Sequence, residues 1–132
     1  MELKAALNYN VEKSILVIDD DRLVTHTLGN LLFKQGYSAT ASEDGYKALD
    51  EIFKGKNVDL IICDLRLPGI DGFETVKRIK QYLKANNKPD IPVIFITGYT
   101  DTDIHIKAKD LGKVLYKPFD NKELIDSIIE YI

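Results

Sequence analysis

The chain has 132 residues, of which 45% are hydrophobic and 30% are charged, and its formal net charge is −3 at pH 7. This length suits one globular domain, and an acidic balance without a basic stripe argues against direct contact with nucleic acid. The single cysteine, Cys63, excludes an internal disulfide. Every apolar run is much shorter than the ~20 residues of a membrane-spanning helix, so we expect a cytoplasmic domain with no membrane contact.

Short apolar runs alternate with helical patterns from Ser14 onward. The apolar run that follows Ser14 is typical of a strand buried on both faces, and the full set of predicted strands covers 14–18, 37–41, 58–63, 93–96 and 114–116. Apolar residues at helical spacing predict a helix after four of the strands, and a polar helix over about 101–111 is predicted after the fourth. Residues 1–13 are weakly periodic and are predicted to be an N-terminal extension, which leaves 14–132 as the domain. Five strand–helix pairs predict a doubly wound α/β domain with a parallel sheet.

Polar residues end the predicted strands. Asp19 and Asp20 follow the first strand, Asp64 follows the third, Thr97 follows the fourth and Lys117 follows the fifth. Ligands of such sheets bind beyond the carboxyl ends of the strands, so we expect these groups to converge. Three close carboxylates need a counter-charge, and Mg²⁺ prefers oxygen ligands. The pattern predicts a site in which one carboxylate accepts a phosphoryl group while a metal ion and a lysine neutralise it.

Four motifs at these strand ends resemble the receiver domain of two-component response regulators, the CheY-like superfamily. The resemblance runs from about Ser14 to Ile132, and its motifs are Ile-Leu-Val-Ile-Asp-Asp-Asp (15–21), Asp-Leu-Arg-Leu-Pro-Gly-Ile-Asp-Gly (64–72), Ile-Thr-Gly (96–98) and Lys-Pro-Phe (117–119). It implies a flavodoxin-like (βα)5 fold with a five-stranded parallel sheet in the order 2-1-3-4-5. It also implies a stand-alone phosphorylation-dependent signalling module rather than an enzyme.

The resemblance assigns a role to each acidic residue. Asp64 would be the phosphoacceptor, which takes its phosphoryl group from a sensor histidine kinase or a histidine phosphotransfer protein. Asp20 and Asp64 would bind Mg²⁺ directly, with the main-chain carbonyl of Arg66 as a further ligand, and Asp19 would act mainly through water. The change at Asp64 would be read by a downstream protein, for which the family commonly uses the surface formed here by residues 101–132.

The resemblance also covers the last strand and the loop after it. Thr97 would hydrogen-bond the phosphoryl group, Lys117 would pair with it, and the Lys117–Pro118 bond would be cis. The chain departs from the family at Val114, because receivers commonly carry an aromatic residue three positions before the lysine. Tyr116 is aromatic but adjoins the lysine, so in a strand its side chain should point the other way.

Arg66 and Tyr99 lie two positions beyond Asp64 and Thr97, where the family's side chains influence how quickly water attacks the phosphoryl group. We expect these bulky residues to slow autodephosphorylation. His26 and His105 are isolated on predicted helices, and we expect them to have surface or helix-face roles rather than to bind a ligand.

Three alternatives remain open from the residues. A haloacid-dehalogenase-type phosphatase also uses an aspartate and Mg²⁺, but it needs a second aspartate where this chain has Arg66. A flavodoxin-like cofactor protein would want a Gly/Ser/Thr-rich phosphate loop after the first strand, and the aspartates there would repel a phosphate. A pseudo-receiver that works only as a docking module is the third, although the acceptor, the acidic pair, the threonine and the lysine are all present.

Overall fold

A computed structural model describes residues 12–98 and 102–132 of the chain. They form one five-stranded parallel sheet in the order β2-β1-β3-β4-β5. The strands are β1 (Ser14–Ile18), β2 (Ser38–Ser42), β3 (Leu60–Asp64), β4 (Val93–Thr97) and β5 (Lys113–Tyr116). The helices are α1 (Arg22–Lys34), α2 (Gly45–Phe53), α3 (Gly72–Ala85), α4 (Thr102–Lys109) and α5 (Asn121–Tyr131). The predicted doubly wound fold and its strand order are confirmed.

Apolar residues on both faces of the sheet explain why the helices lie on both sides. One buried cluster joins α2, α3 and α4 to one face, and the other joins α1 and α5 to the opposite face. Alternate residues of a strand supply the two clusters: Leu16 and Ile18 belong to the first, and Ile15 and Val17 to the second. β3 and β4 are buried along their whole length. No helix within the described residues is long and apolar enough to span a membrane.

Aspartate side chains begin four of the helices. Asp21, Asp44, Asp71 and Asp120 each accept a hydrogen bond from a backbone N–H in the first turn of the helix that follows. This contact satisfies one of the N–H groups that a helix end leaves unpaired. The helices therefore start at fixed positions beyond the strand ends.

The strand register brings the carboxyl ends of β1, β3 and β4 to the same edge of the sheet. Ile18 pairs with Cys63, so Asp19 follows β1 beside Asp64 at the end of β3. Asp64 in turn pairs with Ile96 of β4. β3 begins two residues later than the sequence predicts and includes Asp64, because this last residue still belongs to the ladder with β4.

Candidate functional site

Three carboxylates meet at the carboxyl edge of the sheet, as the strand ends predict. Each of Asp19, Asp20 and Asp64 offers one oxygen, and these oxygens lie within 4.8 Å of one another. Asp19 and Asp64 are buried, whereas Asp20 is exposed. The cluster is therefore open to solvent on the side of Asp20 and closed beneath by the ends of β1 and β3.

Lys117 lies directly across this cluster. Its Nζ is 3.0 Å from Asp64 Oδ2 and 3.2 Å from Asp19 Oδ2. Its backbone N–H donates to the Thr97 carbonyl at 2.8 Å, which fixes the lysine just past the last ladder residue of β5. The Lys117–Pro118 peptide bond is cis, as the resemblance implies. One ammonium thus contacts two of the three carboxylates.

Backbone N–H groups hold the remaining oxygens of the two buried carboxylates. Asp19 Oδ1 accepts from the Asp21 N–H at 2.9 Å, and Asp64 Oδ1 accepts from the Arg66 N–H at 3.0 Å. Both carboxylates are therefore oriented by one backbone donor and by Lys117. The main-chain carbonyl of Arg66 is predicted to bind Mg²⁺. The backbone N–H of this residue lies at the site, whereas its side chain is exposed.

The pKa values in the cluster reflect burial and crowding of charge. Burial raises the pKa of Asp19 above its ordinary value, and the negative charge of Asp64 raises it further. The hydrogen bond from the Asp21 N–H and the charge of Lys117 lower this pKa, but they do not cancel the increase. Burial lowers the pKa of Lys117, but its hydrogen bonds and charge contacts with Asp64 and Asp19 outweigh this, so the pKa lies above its ordinary value. The lysine stays charged, yet three carboxylates still leave excess negative charge. Such an oxygen-lined set fits a hard divalent cation such as Mg²⁺.

Thr97 lies at the same edge, at the end of β4. It is buried, its register partner is Tyr116, and it follows the residue that pairs with Asp64. The structure thus brings Thr97 beside the strand ends that carry the acidic cluster and Lys117. Tyr99, predicted to slow autodephosphorylation together with Arg66, lies outside the described residues.

Sequence reasoning missed the part that Gly72 plays at this site. Gly72 is the first residue of α3, and its N–H donates to the Leu65 carbonyl at 2.9 Å. A Cβ at this position would lie 2.0 Å from the Asp64 carbonyl oxygen. Only glycine lets α3 pack this closely against the strand end that carries Asp64. The glycine directly after the helix-capping Asp71 was the available signal.

The aromatic residue of β5 is placed as the strand alternation predicts. Val114 is half-buried and packs in the apolar core. Tyr116 Oη lies 2.9 Å from His105 Nδ1 on α4, whereas Lys117 Nζ contacts Asp19 and Asp64, so the two neighbouring side chains diverge. His105 is buried there, whereas His26 is exposed on α1. The two histidines therefore have different environments.

Comparison with known proteins identifies the same family that the motifs at the strand ends resemble. The family model of the response regulator receiver domain matches residues 15–129. Sporulation initiation phosphotransferase F of Bacillus subtilis (strain 168) is 32% identical over 124 residues, which cover 92% of this chain and 95% of that protein. Transcriptional regulatory protein FixJ of Bradyrhizobium diazoefficiens is 36% identical over 83% of this chain, which spans only 52% of FixJ.

Solved structures agree with the fold. Response regulator protein TrrA from Thermotoga maritima, in complex with Mg²⁺ and BeF, has a TM-score of 0.79 at 30% identity and covers 91% of this chain and 99% of its own. Chemotaxis protein CheY4 of Vibrio cholerae has a TM-score of 0.80 at 25% identity, over 92% of this chain and all of that one (100%). The chain belongs to the response regulator receiver domain family of two-component signalling.

Proposed function

We propose that Asp64 accepts a phosphoryl group from a phosphohistidine on a sensor histidine kinase or a histidine phosphotransfer protein. An Asp64 oxygen would attack phosphorus, a P–O bond would form, and the P–N bond to histidine would break. The observation that carries the proposal is the convergence of three carboxylates with Lys117, which contacts Asp64 at 3.0 Å. This ammonium is within reach of a group added to Asp64.

The surrounding residues have complementary roles in the proposal. Lys117 pairs with the negative phosphoryl oxygens, and the Thr97 hydroxyl donates a hydrogen bond to them. Asp19, Asp20, Asp64 and the carbonyl of Arg66 would hold Mg²⁺. When bound, the ion supplies positive charge that offsets the charge of the phosphoryl oxygens.

In this proposal the domain is a phosphoacceptor and not a phosphatase that turns over its own substrate. A phosphatase of the haloacid-dehalogenase type needs an acid/base carboxyl two positions beyond its nucleophile, where this chain has Arg66. A guanidinium does not lose its proton in proteins, and Arg66 reaches Asp64 through its backbone N–H. The aspartyl phosphate therefore stays on the chain as a signal.

Output would pass from residues 14–132, the receiver, to another protein in the cytoplasm, with 1–13 as an extension. The surface proposed for this contact lies within 101–132. The family commonly uses this surface, and large apolar side chains are exposed on it here: Ile106 on α4 is 66% exposed and Ile129 on α5 is 62% exposed.

Mass spectrometry of the intact chain tests the phosphoacceptor. With Mg²⁺ and acetyl phosphate, the protein should gain the mass of one phosphoryl group, and Asp64→Asn should gain none. Asp90→Asn makes the same chemical change at an exposed residue before β4, on the opposite edge, and should behave as the unmodified chain does. A full gain in Asp64→Asn would overturn the assignment.

Two further results would favour the alternatives. No gain of mass and no response to beryllofluoride in the intact chain would favour a docking module that does not depend on phosphorylation. Sustained turnover of a generic phosphomonoester would favour a phosphatase.

A further inference from the structure

The loop between β3 and α3, residues 65–71, carries one of the groups that the proposed function assigns to Mg²⁺, the main-chain carbonyl of Arg66. Hydrogen bonds hold this loop at both of its ends. At the first end, the Arg66 N–H donates to Asp64 Oδ1 at 3.0 Å. At the other end, the Gly72 N–H donates to the Leu65 carbonyl at 2.9 Å. The position of the residues between these two ends depends on what packs against them.

The start of α2 lies against the middle of this loop. Gly45 is the first residue of α2, and a Cβ on it would lie 2.7 Å from Ile70 Cγ1. The ring of the next residue, Tyr46, lies against Gly69, because its Cε2 is 3.1 Å from the position that a Cβ on Gly69 would take. Gly69 has a φ of 81°, a left-handed conformation that glycine adopts without strain. Two consecutive residues of α2 thus contact two consecutive residues of the loop.

The rest of α2 is held on the domain independently of the Tyr46 ring. Asp44 caps the helix by accepting a hydrogen bond from the Lys47 N–H at 2.8 Å. Tyr46 is 56% exposed, so its ring contributes little to the apolar core. The buried face of the helix packs in that core through Ala48, Leu49 and Ile52. The contact of the ring with the loop is therefore separate from the contacts that hold the helix.

A short, restricted segment joins Gly69 to Arg66. Only Leu67 and Pro68 lie between them. Leu67 packs against the core, and the ring of Pro68 fixes its own φ angle. A displacement of Gly69 therefore displaces the Arg66 carbonyl as well.

We infer that Tyr46 is a positioning residue for the Mg²⁺ site, because its ring fixes the turn at Gly69 and thereby the carbonyl of Arg66. The inference rests on the proposed function, in which this carbonyl holds the ion. A loop that samples other positions binds Mg²⁺ only in the fraction of molecules whose carbonyl is in place, and the apparent affinity falls by that fraction. The ring of Tyr46 raises this fraction.

Titration of the whole chain with Mg²⁺, followed by NMR through the backbone amides of Asp64 and Arg66, tests this role. Tyr46→Ala removes the ring, and we expect it to bind Mg²⁺ about 2–5-fold more weakly, because fewer molecules hold the loop in place. Tyr46→Phe keeps the ring and loses only the hydroxyl group. It should bind Mg²⁺ as the unmodified chain does.

Phe53 provides the matched control on the same helix. It is 51% exposed, and its ring packs on that of Tyr82 in α3 with the centroids 4.7 Å apart. It is the last residue of α2, whereas Tyr46 is the second. Phe53→Ala therefore also removes a half-exposed aromatic ring from α2, but it should leave the Mg²⁺ affinity unchanged.

Backbone dynamics in EDTA provide a readout that does not involve the ion. The NMR order parameters of residues 65–71 report the motion of the loop directly. We expect them to be lower in Tyr46→Ala than in the unmodified chain. Phe53→Ala should leave them unchanged, because its ring does not contact the loop.

Two results would overturn the positioning role. One is an unchanged Mg²⁺ affinity in Tyr46→Ala. The other is an equal loss of affinity in Tyr46→Ala and Phe53→Ala, because such a loss would come from a general weakening of α2. Failure of the proposed function has a different signature: the amides of Asp64 and Arg66 in the unmodified chain would not respond to Mg²⁺ at all, and the positioning role would fail with it.

Discussion

Lys117 Nζ lies 3.0 Å from Asp64 Oδ2, and the two residues are 53 positions apart in the chain. The same nitrogen also contacts the buried Asp19 at 3.2 Å. Two carboxylates that would otherwise repel each other are thus held at one sheet edge by a shared cation. Any change to the lysine alters both carboxylates at once.

Replacing Lys117 with methionine tests how much this cation stabilises the domain. The variant leaves Asp19 and Asp64 without the ammonium, and a polar group that loses its partner on burial costs about 1–3 kcal/mol. We expect the free energy of unfolding in EDTA to fall by about that amount, as measured by urea denaturation. Lys122→Met is the matched control, because Lys122 forms an exposed pair with Asp126 and should change stability by less than about 0.5 kcal/mol. Equal effects of the two changes would contradict the shared-cation role.

Replacing Asp19 with asparagine should make the domain more stable at neutral pH, not less. Burial, with the Asp64 charge, raises the pKa of this carboxyl above its ordinary value, even with Lys117 beside it. Ionised Asp19 is therefore unfavourable in the folded state. We expect the variant to be more stable than the unmodified chain in EDTA, because it removes a buried charge that Asp64 repels while Lys117 keeps Asp64 as its partner, and to bind Mg²⁺ more weakly.

The pH dependence of the stability gain in Asp19→Asn tests whether the raised pKa of Asp19 is its cause. Between the ordinary pKa of Asp and the raised pKa of Asp19, the folded state holds a proton that the unfolded state has lost, so stability falls as pH rises. Asparagine lacks this contribution. The stability difference between Asp19→Asn and the unmodified chain in EDTA should therefore grow with pH through this window and then level off. A difference that shrinks with rising pH would mean that Asp19 is stabilised as an anion.

The fold and the acidic cluster could be predicted because both depend on local patterns. Each apolar strand stops at a polar residue, and parallel strands bring their carboxyl ends to one edge, so the convergence of Asp19 and Asp64 follows from the sequence. The observed limits of β3 differ from the predicted ones. Val58 is apolar but lies before the ladder, and Asp64 is polar but lies within it, because strand pairing and not residue type decides where a strand ends.

Contacts between distant parts of the chain could not be predicted in the same way. Lys117 and Asp19 are 98 positions apart, and no local spacing encodes a lysine that bridges two carboxylates. The His105–Tyr116 contact depends on how α4 docks on β5, which is a matter of packing. The alternation of β5 did predict that Tyr116 points away from Lys117. It did not predict that the Tyr116 hydroxyl lies within hydrogen-bond distance of a buried imidazole.

Cys63 should be unreactive while the domain is folded. The side chain is buried next to Asp64, and burial, followed by the nearby carboxylates, raises the pKa of its thiol well above the ordinary value. The thiolate is the reactive form, so both access and ionisation are lost. We expect no reaction with Ellman's reagent in buffer at pH 7 and one equivalent in denaturant. Rapid labelling of the native chain would mean that the end of β3 opens readily.

Replacing Gly72 with alanine tests whether α3 fixes the strand end that carries Asp64. The added Cβ would lie 2.0 Å from the Asp64 carbonyl oxygen and 2.9 Å from the Leu65 Cα, and these are backbone atoms that cannot rotate away. Overpacking of this kind typically costs about 1–3 kcal/mol, so the free energy of unfolding should fall by at least that much, as measured by urea denaturation.

Gly29 provides the matched control for this change. It lies within α1, and a Cβ there would meet no atom within 4 Å beyond its chain neighbours and the backbone of its own helix. Gly29→Ala should therefore stabilise the domain by up to about 1 kcal/mol, because alanine favours the helix over glycine. The two substitutions add the same methyl group and should have effects of opposite sign. If Gly72→Ala were also stabilising, α3 would have room to shift from Asp64, and the close packing of α3 would not be what fixes that strand end.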